Sequence, residues 1–361
     1  MKSELTVHCK IQSRSLMVVD GEKRYNFDRT GRFLFLTAPG RAIRRGLDHR
    51  MVESWQDSGL SRVRNYRDLS DTEKNTIMKD AYAAVRAFLT PQASHLEQNW
   101  LTRILEWETR GLDSDTKAFR QTYLPISILP PDQYHSLVVQ VTEGCSYNRC
   151  LFCDFYRDRP FHIKSAEELT AHLQNIQTFF GERLHDLHEV FLGDGNALVV
   201  PTERLLSMLE QIRSELRGQV GPLSTFVDTF TLDKKSVADL VTLRTAGLNT
   251  AYIGFETGLN ELRSLLKKPG TSQEAVAAIL QLKQADWRVA IILLVNIGND
   301  DLSKRHMKAT VDALAELPLE STDLIYLSPF VEPSNAPYLA SSHSLREQLV
   351  SSQLTDVNRE L

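Results

Sequence analysis

The sequence contains no hydrophobic run that is long enough to cross a membrane. Its longest apolar stretch, residues 289–297, is nine residues long and already includes Asn296, whereas a membrane-spanning helix needs about 20. The first ten residues, MKSELTVHCK, lack the apolar segment of a secretory signal. Neither sign of charge dominates: 42 Lys and Arg residues oppose 46 Asp and Glu residues, and the net charge of −4 favours neither nucleic acid nor an anionic membrane. We therefore expect a cytoplasmic protein with no membrane span.

Extreme composition is also absent. Hydrophobic residues form 42% and charged residues 24% of the 361 positions, which excludes disordered, collagen-like and disulfide-scaffold chains. At roughly 100–200 residues per domain, the length allows two domains, or one large barrel with an appendage. Pro125 and the Pro130-Pro131 pair interrupt the chain. We therefore predict an N-terminal region over 1–130, a core domain over 131–340 and a C-terminal helix or tail over 341–361.

Cysteine is scarce, with four residues in the chain. Cys9 stands alone, and we interpret it as a plain thiol. Cys145, Cys150 and Cys153 fall within nine residues, a poor framework for disulfides in a reducing compartment because one thiol would be left over. Thiolates select zinc or iron–sulfur clusters, and the C-x4-C-x2-C spacing lets one loop direct three sulfurs to one centre. We therefore interpret these three cysteines as metal ligands.

Two kinds of metal centre are compatible with the three clustered cysteines. A structural zinc site normally has a fourth Cys or His ligand, and His162 is the only candidate nearby. Three cysteines without an obvious fourth ligand fit better an iron–sulfur cluster that leaves one iron open to a ligand from outside the protein. The alternative hypothesis is a non-catalytic iron–sulfur or zinc protein, such as a redox sensor.

The N-terminal region combines strand and helix signals. Asp-Gly and Thr-Gly dipeptides separate short β-prone segments and predict a small antiparallel sheet; the segments are residues 16–19, 24–27 and 33–37. A capping box, Ser70-x-x-Glu73, predicts a helix to about residue 89. A second helix is predicted over about 93–110, with an apolar face that we assign to the core; this face comprises Trp100, Ile104 and Trp107.

From residue 137 onward, apolar strands alternate with amphipathic helices. Six strands are predicted, at residues 137–141, 189–192, 224–227, 250–255, 289–295 and 323–327. The helices between them are predicted to begin near Ser165, Thr202, Asp233, Thr271 and Ser303, with capping boxes at Ser165 and Thr271. Six such units with parallel strands indicate an α/β fold, either a barrel or a doubly wound sheet. No G-x-G-x-x-G follows the first strand, which argues against a dinucleotide-binding fold.

Unusual residues follow several of the predicted strands. The cysteines follow the first strand, Gly193-Asp194-Gly195 the second and Glu256 the fourth, while Asn296 and Ser328 follow the last two. Enzymes built as βα barrels keep their chemistry at the carboxyl ends of the strands. The sequence therefore predicts a single site at this end of the sheet.

The stretch 142–153, TEGCSYNRCLFC, resembles the cluster loop of the radical S-adenosylmethionine (SAM) superfamily. The superfamily's usual spacing is C-x3-C-x2-C, and this chain has one more residue in the first gap. The segments FLGDG (191–195), YIGFETG (252–258) and LSP (327–329) fall at matching strands. The resemblance covers about residues 137–340 and implies a partial (β/α)6 barrel of the TIM type, to which an N-terminal α+β region is appended.

The resemblance also implies a site. Cys145, Cys150 and Cys153 would hold three irons of a [4Fe-4S] cluster, and SAM would chelate the fourth through its amino and carboxylate groups. Further SAM contacts would come from Phe152, Gly193, Asp194, Gly195, Glu256, Asn296 and Ser328. Among these, Asp194 would supply charge to the SAM ammonium. A reduced cluster would cleave SAM to methionine and a 5′-deoxyadenosyl radical that abstracts hydrogen from an unidentified substrate. An electron donor such as flavodoxin or ferredoxin is implied as a partner.

Each of these residues also has a simpler interpretation. Gly193–Gly195 would form an ordinary turn between strand and helix, Asp194 would cap a helix, and Glu256 would be a surface acid. For Lys267 and Lys268, binding of a carboxylate and a solvated helix end are equally compatible with the sequence. No second cysteine cluster follows residue 153 and nothing resembles a cobalamin-binding module, which disfavours the methylthio-transferring and cobalamin-dependent subclasses.

Six arginines and one acid, Asp48, lie between residues 29 and 50; the arginines are Arg29, Arg32, Arg41, Arg44, Arg45 and Arg50. Such a patch would grip the phosphates of RNA, a nucleotide or a lipid head group. Alternatively, the arginines pair with acids elsewhere in the chain or form a solvated face. The expected partner is therefore a small-molecule or phosphate-bearing substrate, and nucleic acid has only weak support.

Overall fold

The computed structural model describes residues 7–56, 64–89, 93–216, 220–297 and 300–330. The chain forms two compact units. The first comprises Met1–Pro125 with Asn175–Asp186, and the second comprises Ile126–Gln174 with Leu187–Leu361. The domain limits 1–130, 131–340 and 341–361 stay predictions, and the expected C-terminal helix or tail lies outside the described residues. No helix in the described ranges is long and apolar enough to cross a membrane.

A seven-stranded antiparallel sheet dominates the first unit, and each strand pairs with the next along the chain. The strands are β1 (His8–Ile11), β2 (Ser15–Asp20), β3 (Lys23–Asp28), β4 (Phe33–Ala38), β5 (Arg41–Arg45), β6 (Met51–Gln56) and β7 (Arg64–Asp68). The predicted antiparallel sheet is confirmed: its three segments lie in β2, β3 and β4. Four strands were not predicted, because their sequences lack comparably long apolar alternation.

Three helices accompany this sheet: α1 (Asp71–Phe88), α2 (His95–Arg110) and α3 (Leu112–Thr122). The capping box that starts α1 is confirmed, since the Ser70 hydroxyl accepts from the Glu73 N–H and the Glu73 carboxylate accepts from the Ser70 N–H. A second capping box, Ser94 with Glu97, starts α2 two residues later than predicted. The apolar face of α2 does belong to the core, whereas α3 was not predicted.

Ion pairs account for most of the arginine patch. Arg32 and Arg45 are buried and hold the two carboxylate oxygens of Asp115 at 2.8 and 2.6 Å. Three further pairs are Arg29–Asp186, Arg41–Glu53 and Arg50–Asp68. Arg44 is exposed and forms no ion pair with the described part of the chain. The structure therefore supports the interpretation in which these arginines pair with acids, and we propose no phosphate site here.

The second unit contains the predicted parallel sheet. Its six strands are β8 (Leu137–Gln140), β11 (Val190–Gly193), β12 (Leu223–Val227), β13 (Leu248–Glu256), β14 (Arg288–Val295) and β15 (Leu324–Pro329). They lie in chain order, all parallel, with β8 and β15 at the two edges. The α/β fold with six parallel strands is confirmed, and the unpaired edges are those of a partial barrel. Two short strands, β9 (Thr142–Glu143) and β10 (His162–Ile163), pair at the base of the loop that carries the cysteines.

The helices that alternate with these strands are α4 (Ala166–Phe180), α5 (Thr202–Glu215), α6 (Val237–Thr245), α7 (Asn260–Leu265), α8 (Ser272–Gln284) and α9 (Asp300–Leu314). The capping boxes at Ser165 and Thr271 are confirmed. The third helix begins at Val237 rather than near Asp233, because Ser236 and Asp239 form a further capping box. The short helix α7 was not predicted.

Candidate active site at the carboxyl ends of the barrel strands

A cavity of about 690 Å³ lies in the second unit, where β12 to β15 end. Seven of the ten predicted site residues line it: Cys145, Cys150, Phe152, Cys153, Gly195, Glu256 and Ser328. The other three, Gly193, Asp194 and Asn296, lie at strand ends but do not line it. The fold therefore brings most of the predicted strand-end residues to one cavity, as expected. Their contacts with a cofactor stay predictions.

All three thiols of this loop are partly buried. Burial raises the pKa of Cys150 to about 12 and that of Cys153 to about 11, and it also raises the pKa of Cys145. Lys268 acts in the opposite direction on each of them. Burial therefore favours neutral thiols, and the positive charge of a bound metal centre is what would hold them as thiolates.

The ligand set fits a cluster better than a single zinc ion, because a structural zinc site normally has four protein ligands. Within the described ranges, no three His, Cys, Asp or Glu side chains are grouped to hold one ion. His162 is half exposed and contacts Glu168 at 2.8 Å, outside the cavity. Three thiols that line one cavity, with no fourth ligand found in the part of the chain that the structure describes, suit a cluster in which each cysteine binds a different iron.

Hydrogen bonds hold the cysteine loop (residues 144–156) in shape. The Asn148 amide donates to the Tyr156 carbonyl at 2.7 Å, and Asn148 adopts the left-handed conformation with φ of 49°. Arg157 donates to the carbonyls of Asn148 and Cys150 at 2.6 and 2.9 Å. The Leu151 N–H donates to the Leu266 carbonyl at 2.9 Å, which ties the loop to the end of α7. The loop is thus ordered by the protein itself.

Glu256 is directed into the cavity by a β-bulge at the end of β13. The register with β14 shifts between Gly254 and Glu256, and Glu256 has a φ of 67°. Bulges of this kind redirect side chains next to functional sites. A Cβ atom on Gly254 would lie 2.6 Å from the Glu256 carboxylate and 3.0 Å from the Lys268 ammonium. Gly254 therefore makes room for the two charged groups.

Lys268 faces Glu256 across this space, with 3.5 Å between Nζ and Oε1 and with both side chains buried. Burial raises the pKa of Glu256, and Lys268 opposes this. Burial alone would lower the pKa of Lys268, but Glu256 and Asp228 raise it above its usual value. Lys268 is thus buried against a carboxylate of the chain itself and is not at a solvated helix end, whereas its neighbour Lys267 is exposed. Binding of a ligand carboxylate by Lys268 stays a prediction.

Arg263 connects β13 to the segment that carries Lys268. Its buried guanidinium donates to the carbonyls of Phe255 and Gly270, both at 2.8 Å, and of Pro269 at 3.0 Å. These three carbonyls come from the strand end and from the turn after Lys268. Arg263 therefore acts as a brace that keeps Lys268 opposite Glu256.

Asp228 is a site residue that the sequence analysis missed. It follows β12 directly and lines the cavity. Burial raises the pKa of Asp228, and Lys268 lowers it. The Asn196 amide lies 3.4 Å from its carboxylate and donates to the Thr231 hydroxyl at 2.9 Å. Asp228 could have been predicted from the sequence, because it directly follows the third predicted barrel strand. The expectation that site residues follow the strands applies to it as well.

The turn after β11 packs against the cysteine loop. A Cβ atom on Gly195 would lie 2.9 Å from the Gly144 carbonyl oxygen and 3.2 Å from the Cys145 Cα, whereas Gly193 has ordinary surroundings. Asp194 is buried and directs its carboxylate at Gln140 and at the N–H of Gly144. Asn296, with a φ of 61°, follows β14 and does not line the cavity.

Comparison with known families agrees with this geometry. Residues 139–314 match the model of the Radical SAM superfamily, so this part of the chain belongs to that superfamily. It contains the three cysteines, the turn after β11 and the strand end that carries Glu256. Among curated proteins, none matches significantly.

Several solved structures are similar to the chain. Coproporphyrinogen III oxidase HemN from Escherichia coli has 12% identity and a TM-score of 0.44, and the match covers 62% of this chain and 52% of HemN. Methylornithine synthase PylB has 18% identity and a TM-score of 0.43, with 81% and 69% covered. The cobalamin-dependent enzyme OxsB has 17% identity and a TM-score of 0.39, with 62% and 30% covered. The chain thus spans less than a third of OxsB and about half of HemN.

Proposed function

We propose that this protein is a radical SAM enzyme that holds a [4Fe-4S] cluster through Cys145, Cys150 and Cys153. The observation that carries the proposal is that three thiols of one ordered loop face one cavity at the carboxyl ends of a parallel sheet, within a Radical SAM domain. When bound, such a cluster supplies the electron for reductive cleavage of SAM to methionine and a 5′-deoxyadenosyl radical. The chain's own task is to bind SAM, orient it and exclude water.

The charges in the cavity suit the methionine part of SAM. That part carries an ammonium, a carboxylate and a sulfonium, so it needs both acids and a base nearby. Asp228 and Glu256 are positioned for the positive groups, and Lys268 is positioned for the carboxylate. In a buried site such charge-assisted contacts are stronger than in water. We assign SAM orientation to these three side chains.

The apolar part of the lining suits the nucleoside and the exclusion of water. Phe152, Phe226, Tyr252, Ile292 and Leu294 line the cavity beside the charged residues. An apolar wall keeps water and other hydrogen sources away from a reactive group. We therefore assign the adenosine part of SAM to this side, with Phe152 against the adenine as the family resemblance implies and Ser328 at the rim.

Anaerobic reconstitution tests the proposal. The purified chain, treated with iron and sulfide, should bind about four irons, and with dithionite and SAM it should release 5′-deoxyadenosine. The matched control is Cys145→Ala, which should bind no intact cluster and release none. One tightly bound zinc with no SAM cleavage would instead support the non-catalytic alternative.

The partners follow from the proposed chemistry. An enzyme of this kind needs a one-electron reductant, and we infer a small donor such as flavodoxin or ferredoxin. Four half-buried thiols without disulfides fit the cytoplasm. The substrate is inferred to be a small molecule, and comparing metabolites of cells with and without the protein would identify it.

A further inference from the structure

We propose that Asp194 positions the cysteine loop and does not contact SAM; this inference rests on the proposed function. The resemblance to the superfamily led us to expect Asp194 at the SAM ammonium. Its place in the fold points elsewhere, because Asp194 is 5% exposed and does not line the cavity.

Both oxygens of the Asp194 carboxylate are used within the protein. Oδ1 accepts from the side-chain amide of Gln140 at 2.7 Å, and Oδ2 accepts from the backbone N–H of Gly144 at 3.1 Å. Gln140 is the last residue of β8, and Gly144 directly precedes Cys145. The carboxylate therefore joins the end of the first barrel strand to the residue before the first thiol.

The backbone around Asp194 makes the same connection. The Asp194 N–H donates to the Thr142 carbonyl at 3.0 Å, and the Asp194 carbonyl accepts from the Tyr156 hydroxyl at 3.3 Å. Thr142 and Tyr156 lie on either side of the three cysteines. Asp194 thus contacts the loop before its first thiol and after its last one.

Asp194 also faces one buried cation. The Nε of Arg159 lies 3.8 Å from Oδ2 of Asp194 and 3.4 Å from Asp158, so a second carboxylate shares this cation. What the loop needs at position 194 is a hydrogen-bond acceptor that faces Gly144. An asparagine supplies one through its Oδ1, and its NH2 group can donate to the Gln140 amide oxygen after that amide turns over. A SAM ammonium, by contrast, would need the negative charge.

Two variants separate these roles. Asp194→Ala removes the acceptor, and Asp194→Asn keeps it while removing the charge. Amide hydrogen exchange over residues 142–156 in the cluster-free protein reports loop order, and iron content after reconstitution reports cluster retention. SAM affinity per loaded site and the change that SAM causes in the electron paramagnetic resonance spectrum of the reduced cluster report the cofactor contact. Asp312→Ala, on the exposed face of α9, is the surface control.

For Asp194→Ala we expect exchange over 142–156 to be faster by about tenfold or more, as for loss of a hydrogen bond to a charged group. Iron content should fall to below about half of the wild-type value, in line with the looser loop. The sites that do load should keep the wild-type SAM affinity and spectral change. For Asp194→Asn we expect wild-type SAM affinity and spectral change, with exchange and iron content closer to wild type than in Asp194→Ala.

Loss of SAM affinity by tenfold or more in Asp194→Asn, with iron content and exchange unchanged, would overturn the inference and restore the ammonium contact. Unchanged exchange and iron content in Asp194→Ala would overturn it as well. The exchange measurement needs neither cluster nor SAM. If the wild-type protein bound no cluster, the proposed function would fail while faster exchange in Asp194→Ala would still establish the positioning role.

Discussion

Replacing Lys268 with methionine should destabilise the cluster-free protein by about 3 kcal/mol at pH 7, because Glu256 then remains buried without its cation. The ammonium and the carboxylate are 3.5 Å apart, and their side chains are 5% and 8% exposed. At an effective dielectric constant of about 20, their attraction is about 5 kcal/mol. Methionine keeps most of the volume of lysine, so the change removes charge and leaves little empty space.

The loss has an upper limit, because Glu256 can take up a proton instead of remaining ionised. Its ordinary pKa is 4.5, and protonating it at pH 7 costs about 3.4 kcal/mol. Removal of Lys268 raises the folded-state pKa further, so the native protein holds a proton that the unfolded chain releases. Stability should therefore fall as pH rises above about 4.5, by up to about 1.4 kcal/mol per pH unit.

Urea denaturation of the cluster-free protein under reducing conditions, at pH 5 and pH 7, measures this loss. Adding Glu256→Gln to Lys268→Met should recover part of the stability and reduce the pH dependence, since Asp228 is then the one acid of the two that has lost this cation. Lys308→Met, which breaks an exposed pair with Asp312, should change stability by less than about 0.5 kcal/mol. A loss below 1 kcal/mol at pH 7, or no recovery in the double variant, would refute the argument that Lys268 compensates Glu256.

Three further predictions concern the loop, its packing and the first unit. Serine at any one of the three clustered cysteines should abolish iron binding, whereas Cys9→Ala, which removes a thiol near Glu97, should leave iron content unchanged. Gly195→Ala should lower the free energy of unfolding in urea by about 1–3 kcal/mol and reduce iron content, because its Cβ would lie 2.9 Å from a backbone oxygen. The control Gly193→Ala should change neither quantity. Equal effects of the two substitutions would contradict the packing argument. Asp115→Ala should lower the free energy of unfolding by about 3–5 kcal/mol, because it leaves two buried arginines without their carboxylate. The control Arg44→Ala should change it by no more than about 0.5 kcal/mol. A small loss in Asp115→Ala would show that its ion pairs are dispensable.

Local signals allowed much of this fold to be predicted from the sequence alone. Apolar runs located all six barrel strands, and the capping boxes at Ser70, Ser165 and Thr271 located three helix starts. These signals are complete within four to eight neighbouring residues, so no tertiary information is needed to detect them. The same holds for the three cysteines, whose spacing within one loop already indicates a shared centre.

Pairing between distant residues could be decided only by the tertiary structure. Arg32 and Arg45 meet Asp115 through the fold of the first unit, and no local pattern marks that aspartate as their partner. Asp194 stands in a glycine-rich turn whose sequence suits a cofactor, yet its carboxylate is directed at Gln140 and Gly144 because the cysteine loop packs directly on that turn. Sequence position determines which strand end a residue occupies. The direction of its side chain is set by bulges and close backbone contacts, which depend on elements that are far away in the chain.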